Sequence, residues 1–100
     1  MVLLKEEKKM EKLPFEQEII GNKKLRIFHP NVDSEELKWH RDRENRLVEI
    51  LESDDWYLQM DDELPKKLVV GEKYYIPIGV YHRVIKGKGN LKVLITENYL

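Results

Sequence analysis

From residue 15 onward the chain alternates between short apolar runs and residues that favour turns. Segments such as 24-KLRIF-28 and 91-LKVLITE-97 place apolar side chains at alternate positions, which is typical of strands with one buried face. Gly, Asn, Pro and Asp separate these segments, as expected of tight turns. The pattern predicts nine strands, near residues 16–20, 24–28, 37–43, 45–52, 55–60, 66–70, 73–76, 81–86 and 91–97.

Closely spaced short strands predict an all-β fold, a small antiparallel barrel or sandwich. The absence of alanine, the best helix former, argues against an all-helical chain. Residues 33-DSEE-36 could instead start one helical turn, because Asp and Ser are good helix caps. We expect residues 1–14 to form an N-terminal arm or short helix and residues 15–100 to form the single β domain.

The run 38-KWHRDRENR-46 contains no aliphatic side chain, yet it leads directly into the strand pattern 47-LVEILE-52. His40, Asp42, Glu44 and Arg46 have the same parity as Val48 and Ile50. If the strand continues back through this run, all four ionisable groups face the core. Burial of such groups is costly unless they are paired or bind a ligand. The pattern therefore predicts a polar pocket inside the domain.

Charge and composition narrow the choice of partners. The chain has 18 basic and 19 acidic residues, so its net charge gives no reason to expect nucleic acid. It has no cysteine, which excludes a thiolate metal site, a disulfide framework and a cysteine nucleophile. The apolar run at the N-terminus is too short for a membrane span or a signal peptide, so we expect a cytoplasmic protein with no membrane partner.

A second motif, 71-GEKYYIPIGVYHRV-84, carries a specific resemblance. Gly71 suits a tight turn, Pro77 cannot donate to a strand ladder, and Gly79 permits a turn that other residues disfavour. The order Gly71, Pro77, Gly79, His82 resembles the second sequence motif of the cupin superfamily without a gap. Lys86 stands at its last and least strict position, which is usually Asn.

The first cupin motif is degenerate in this chain. It falls on His40, Asp42, Arg46 and Ser53, where the family pattern has two His, a Glu and a Gly. Only the first His is retained. The two motifs span residues 40–86 and the flanking strands suit a barrel, so the chain resembles a small single-domain cupin over most of its length.

The resemblance implies a double-stranded β-helix with a pocket in the barrel mouth. It also implies a metal site, with His40, Asp42 and His82 as surviving ligands for one divalent ion of Fe, Mn, Zn or Ni. A His-x-Asp pair with a distant His resembles the facial triad of non-haem Fe(II) oxygenases. The alternative is a pair of interior histidines that are hydrogen-bonded to neighbours and bind no metal.

Arg46 has opposite implications for a metal site. A fixed cation repels a metal ion, but it would bind an anionic substrate beside that ion. We therefore predict Arg46, Glu44 and Gln59 as substrate-binding residues, and Glu44 could replace Asp42 as a ligand. The first functional hypothesis is a metal-dependent enzyme, of dioxygenase or isomerase type, that acts on a small anionic substrate. The alternative is a metal-free cupin that binds a small molecule or serves as an accessory or oligomerisation domain. We expect a homodimer in either case, because a small barrel has edges to cover.

Overall fold

The computed structural model describes residues 15–98, so the predicted arm of residues 1–14 lies outside the described part of the chain. The expected all-β class is confirmed. Between residues 15 and 98, no helix is long and apolar enough to cross a membrane. The elements are β1 (Phe15–Ile20), β2 (Lys23–Phe28), a 3-10 turn (Glu35–Leu37), β3 (Arg46–Ser53), β4 (Tyr57–Met60), β5 (Lys66–Lys67), β6 (Lys73–Ile76), β7 (His82–Ile85) and β8 (Leu91–Glu97).

The strands form two antiparallel sheets. The larger has the order β1-β2-β8-β3-β6 and the smaller the order β5-β4-β7. Alternate residues of each strand point to opposite faces, and the apolar set of each sheet faces the other sheet. Phe28 of the larger sheet packs against Trp56, just before β4, with ring centroids 6.2 Å apart. The fully buried core residues are Phe28, Ile50, Trp56, Leu58, Leu68, Ile76, Leu91, Val93 and Ile95.

The predicted strand over residues 37–43 is wrong. A 3-10 turn occupies Glu35–Leu37, and the Ser34 hydroxyl accepts a hydrogen bond from the backbone N–H of Glu36 at 3.1 Å. This is the capped turn that 33-DSEE-36 offered as an alternative. Beyond it, His40 makes a single bridge to His82, and the backbone then runs irregularly to β3. The polar side chains of this run favour local contacts with one another over a ladder, so the strand begins only at Arg46.

Candidate metal centre

The two motifs meet at one pair of residues. The backbone N–H of His40 donates to the His82 carbonyl at 3.0 Å, and the N–H of His82 donates to the His40 carbonyl at 2.8 Å. Residues that exchange both hydrogen bonds lie directly opposite each other, so their side chains project from the same face. The two imidazole centroids are accordingly 4.3 Å apart.

The turn of the second motif holds this pair in place. β6 ends before Pro77, and Gly79 has a φ of +82°, a conformation that disfavours residues with a Cβ. In that conformation the Gly79 N–H donates to the carbonyl of Asp42 at 3.1 Å. The neighbouring Ile78 N–H donates to the Asn45 Oδ1 atom at 2.7 Å. The polar run is therefore anchored to the turn by backbone geometry, and this anchoring replaces the strand that the sequence predicts.

Backbone contacts also orient both imidazole rings. Nδ1 of His40 lies 2.7 Å from the Lys38 carbonyl, and Nδ1 of His82 lies 2.9 Å from the Val80 carbonyl. A carbonyl can only accept, so each Nδ1 carries the proton that it donates. When such a ring is neutral, its lone pair is therefore on Nε2. This is the arrangement that metal-ligating histidines commonly show.

Two carboxylates face these Nε2 atoms. Glu36 Oε1 lies 3.0 Å from His40 Nε2, and Asp42 Oδ2 lies 3.3 Å from His82 Nε2. Asp42 Oδ1 is also 3.8 Å from His40 Nε2. The ligand atoms of Glu36, His40 and His82 all lie within 4.8 Å of one another. Two imidazoles and the Glu36 carboxylate thus converge on a space of the size that one metal ion needs, and Asp42 lies beside it.

Unsatisfied polar atoms point to the same space. His40 Nε2 and Asp42 Oδ2 are buried and have no hydrogen-bond partner. These two atoms do lie within ion-pair distance of a partner, His40 Nε2 at 3.0 Å from Glu36 Oε1 and Asp42 Oδ2 at 3.3 Å from His82 Nε2, and each contact is an ion pair only when the imidazole is protonated. A buried polar atom without a partner is destabilising unless a ligand satisfies it. The donor set therefore fits a divalent cation.

The charges in this cluster shift one another's pKa values. Contact with the Glu36 carboxylate raises the pKa of His40, although burial opposes the shift. Burial acts to raise the pKa values of Glu36 and Asp42. For Glu36 this effect is outweighed by His40 and the nearby guanidinium groups, and for Asp42 by His82 and Arg46, so both carboxyl pKa values are lowered. Both carboxylates are therefore ionised at neutral pH and available as ligands.

Arg46 lies beside the cluster, and carboxylates surround it. Its guanidinium contacts Glu44 Oε2 at 2.9 Å, Glu97 Oε2 at 3.2 Å and Asp42 Oδ2 at 3.6 Å. Of these three carboxylates, Asp42 is the one farthest from the Arg46 guanidinium. The positive charge that argued against a metal ion is therefore compensated within the protein.

The cluster closes one end of a cavity between the two sheets. The cavity is open to solvent at its mouth. Its polar lining consists of Arg26, Glu36, Arg46 and His82, and the rest is apolar, with residues such as Val48, Leu58, Tyr74 and Ile95. A site with this composition accommodates a ligand that is mostly apolar and has a few polar groups.

The structure brings together most of the residues singled out from the sequence. His40, Asp42, Glu44, Arg46 and His82 form one cluster. Gln59 does not join it. Its neighbour Leu58 faces the core, so the Gln59 side chain lies on the opposite face of β4 and contacts the Glu63 carbonyl and Arg83.

Sequence reasoning missed two residues of the site, Glu36 and Arg26. The capped turn at 33-DSEE-36 gave an indirect signal for Glu36, because residues four apart share a face of a helical turn and Glu36 is four residues before His40. A signal for Arg26 was its place in 24-KLRIF-28, where it has the parity of Phe28 and hence of the core. The same parity argument was applied to the polar run but not to this strand.

We expect the metal-free protein to lose stability on both sides of a window from about pH 5 to pH 6.5. His40 has a pKa raised above its ordinary 6.5, so its contribution is complete below 6.5 and is lost as the pH rises through the folded-state value. Glu36 and Asp42 have lowered pKa values, so their contributions are present above 4.5 and 3.8 and are lost as the pH falls. Thermal denaturation of the metal-free protein from pH 4 to pH 9 measures the window.

The matched variant for this measurement is His40→Gln. The difference in melting temperature between the wild-type protein and this variant should be largest below pH 6.5 and should shrink as the pH rises. A difference that does not change between pH 5 and pH 9 would contradict the assignment. His29, whose pKa is raised by Glu16 and Asn90, is present in both proteins and cancels in the comparison.

Comparisons with known proteins establish the fold. No family model and no curated protein matches the sequence. Solved structures do match. A cupin domain from Bordetella pertussis is 20% identical, with a TM-score of 0.60 over 83% of this chain and 88% of that one. An RmlC-like cupin family protein with a double-stranded β-helix fold, from Methanocaldococcus jannaschii, is 14% identical, with a TM-score of 0.62 over 81% of this chain and 74% of that one.

A DMSP lyase from Ruegeria pomeroyi is also similar, at 15% identity and a TM-score of 0.59. The match covers 75% of this chain but only 36% of the lyase chain. At these levels of identity the likeness shows the fold alone. The expected double-stranded β-helix of cupin type is therefore confirmed, and the function has to be argued from the site.

Proposed function

We propose that this chain, a double-stranded β-helix of cupin type, is a metal-dependent enzyme. His40, His82 and Glu36 would hold the ion, and Asp42 would act as a fourth ligand. The observation that carries the proposal is the orientation of the two imidazoles. Their Nδ1 atoms contact backbone carbonyls and their Nε2 atoms face carboxylates, in a space where His40 Nε2 and Asp42 Oδ2 are buried without hydrogen-bond partners.

The charge around the site supports a divalent ion. Among the described residues, four carboxylates, Glu36, Asp42, Glu44 and Glu97, interact with the permanent cations Lys24, Arg26 and Arg46. If the two histidines are neutral, the carboxylates outnumber the cations in this group. A bound cation would offset the excess negative charge. Two imidazoles with carboxylates would suit Fe(II), Mn(II) or Zn(II), and the set His40, His82 and Glu36 has the two-histidine, one-carboxylate composition of non-haem Fe(II) sites.

The cavity supports a small organic substrate. A bound divalent ion would supply Lewis-acid activation, or a site for oxygen, at the polar end of the cavity. The apolar walls would hold the body of the substrate and exclude water from the reacting centre. Arg46 and Glu44 would border the polar end, and an anionic group on the substrate would lie near the guanidinium groups. Dioxygenase and isomerase chemistry both fit this arrangement.

Metal analysis of untagged protein is the experiment that tests the proposal. We expect about one metal ion per chain after purification, or after reconstitution with Fe(II), Mn(II) or Zn(II) under exclusion of oxygen. Small organic acids would then be screened with the loaded protein, with and without oxygen, to separate dioxygenase from isomerase chemistry. A protein that stays metal-free after reconstitution with all three ions would refute the metal centre.

One observation favours the alternative, a metal-free binding protein. The contacts of Glu36 with His40 and of Asp42 with His82 can be made by protonated imidazoles without any ion. Since a metal ion must displace those protons, its affinity should rise with pH if the enzyme hypothesis holds. A protein without metal that still binds small molecules in the cavity would match the alternative.

A further inference from the structure

Arg26 is a buried cation on a strand of the larger sheet. It lies on β2 and points inward with Phe28, and it is 7% exposed. Arginine is almost never this buried unless its charge is paired. Burial lowers the pKa of this guanidinium, which measures the cost of keeping the charge away from water. Some contact has to compensate for that cost.

The contacts inside the protein use only part of this side chain. Nε donates to Gln17 Oε1 at 2.6 Å, and the guanidinium lies over the Phe15 ring at 4.5 Å from its centroid. Nη1 lies 3.5 Å from Glu36 Oε2, which is longer than a good hydrogen bond. A guanidinium has five N–H groups in a planar fork, so its terminal nitrogens can also donate to a ligand in the cavity that it lines.

Arg46 has more carboxylate partners inside the protein than Arg26 has. Three carboxylates contact it. Burial acts to lower its pKa, but Asp42, Glu44 and Glu36 outweigh that effect and raise it. Among residues 15–98, Glu36 is the one carboxylate within ion-pair distance of Arg26, and Glu97 and Asp42 act on its charge from farther away. An incoming anion therefore gains more from Arg26 than from Arg46, although the sequence pointed to Arg46 as the anion-binding residue.

The rest of the cavity defines the other part of the ligand. Apart from Arg26, Glu36, Arg46 and His82, the residues that line the cavity are aliphatic or aromatic. Such a space fits a small molecule with an apolar body and one charged group. A carboxylate matches the guanidinium fork in geometry and in its single charge. A phosphate dianion would add repulsion from Glu36, whose Oε2 atom is 3.5 Å from Arg26.

We propose that Arg26 binds the carboxylate of the substrate, and that the substrate is a small monocarboxylic acid whose apolar part fills the cavity. Glu36 links this position to the candidate metal site, because its Oε2 atom contacts Arg26 and its Oε1 atom contacts His40. The bound carboxylate would thus lie beside the metal position. The description of this acid as a substrate rests on the proposed function, whereas its binding by Arg26 does not.

Calorimetric titration of the metal-free, full-length protein tests the inference. The probes are butyrate, hexanoate, hexanamide and inorganic phosphate at pH 7. We expect hexanoate to bind saturably, and butyrate to bind roughly fourfold more weakly for each methylene removed. Hexanamide has the same apolar chain without the charge, and we expect it to bind at least about tenfold more weakly than hexanoate. Phosphate should compete poorly.

Two variants and a control assign the effect to Arg26. Arg26→Gln should weaken hexanoate binding about tenfold or more and should leave hexanamide binding unchanged. Arg26→Lys keeps the charge but loses the planar fork, so it should bind hexanoate with intermediate affinity, and it serves as the test if the Gln variant does not fold. Arg83→Gln is the matched control. Arg83 contacts Gln59 on the outer face of the smaller sheet, and its replacement should have no effect.

Equal affinity for hexanoate and hexanamide, an unchanged Arg26→Gln or Arg26→Lys variant, or tighter binding of phosphate than of hexanoate would overturn the inference. Metal analysis separates this result from the proposed function. If the protein binds no metal but needs Arg26 to bind hexanoate, the carboxylate site stands and the metal-dependent enzyme does not. If the protein binds metal but shows no preference for hexanoate over hexanamide, the metal centre stands and the carboxylate site at Arg26 does not.

Discussion

Replacing His82 by alanine is expected to lower the affinity of the protein for a divalent metal ion by more than about 100-fold. Changes that affect only the hydrogen-bond partners of a ligand typically reduce affinity by 10- to 100-fold, and loss of the ligand itself should exceed that range. His40→Ala should have a similar effect, because the two Nε2 atoms converge on the same space. Titration of the metal-free variants with Mn(II) or Zn(II), in competition with a chelator of known affinity, measures the loss.

His29→Ala is the matched control for this prediction. His29 contacts Glu16 and Asn90, away from the cluster, so its replacement should leave metal affinity unchanged. His82 is only 2% exposed, and its removal leaves a cavity. His82→Gln, which fills more of the space, should lose affinity to the same extent if the effect is one of ligation. Full metal affinity in a folded His82 variant would rule out the site.

The same titration can rank Glu36 and Asp42 by their contributions to metal affinity. Glu36→Gln should weaken metal binding more than Asp42→Asn, because the Glu36 oxygen forms the compact group with both imidazoles. A larger effect of Asp42→Asn would instead favour the ligand set His40, Asp42 and His82 that the sequence suggested.

Ile50→Ala is expected to destabilise the protein by about 2–5 kcal/mol, a large fraction of the stability of a domain of this size. Ile50 lies on β3 with no exposed surface and belongs to the core between the sheets. Truncation removes three buried carbons and leaves a space that neighbouring strands cannot fill without breaking their pairing. Urea denaturation, with the midpoint and the slope fitted separately, gives the change in the free energy of unfolding.

Leu51→Ala provides the comparison on the same strand. Leu51 is adjacent in sequence but is 39% exposed, so its truncation should cost less than about 1 kcal/mol. Equal losses for the two variants would mean that Ile50 is not in the core. A changed slope for Ile50→Ala would point to an altered denatured or native ensemble instead of a simple loss of packing.

The homodimer and the substrate-binding role of Gln59 stay predictions. Exposed apolar residues on β1 (Ile19 and Ile20) and on β6 (Tyr75) lie on the two edge strands of the larger sheet, where a second copy could pack. Measurement of the mass in solution would test that expectation. Gln59 lies on the outer face of β4, so any role it has in ligand binding would have to operate from outside the cavity.

Local patterns in the sequence were sufficient for most of the strands, though not for residues 37–43, and for the turn of the second motif. Alternation of apolar residues identifies the buried face of β8, but on β2 the buried residues are Arg26 and Phe28 and not the alternating Leu25 and Ile27.

Pro77 and Gly79 constrain the backbone independently of the rest of the chain. The position of His82 at the start of β7 follows from these local rules, whereas its pairing with His40 is a tertiary contact. His40, Asp42, Glu44 and Arg46 of the polar run are half-buried, but no strand places them there.

The composition of the site depended on tertiary structure. Glu36 reaches His40 through a 3-10 turn, and Arg26 reaches Glu36 across the barrel from β2. These contacts join segments whose spacing in sequence carries no motif, because strand pairing and sheet packing bring together residues that are far apart along the chain. Whether Arg46 is available to an anion is likewise decided by Glu97, which β8 places opposite it. Residue types can be read locally, but the charge around each group is a sum over neighbours that only the folded chain defines.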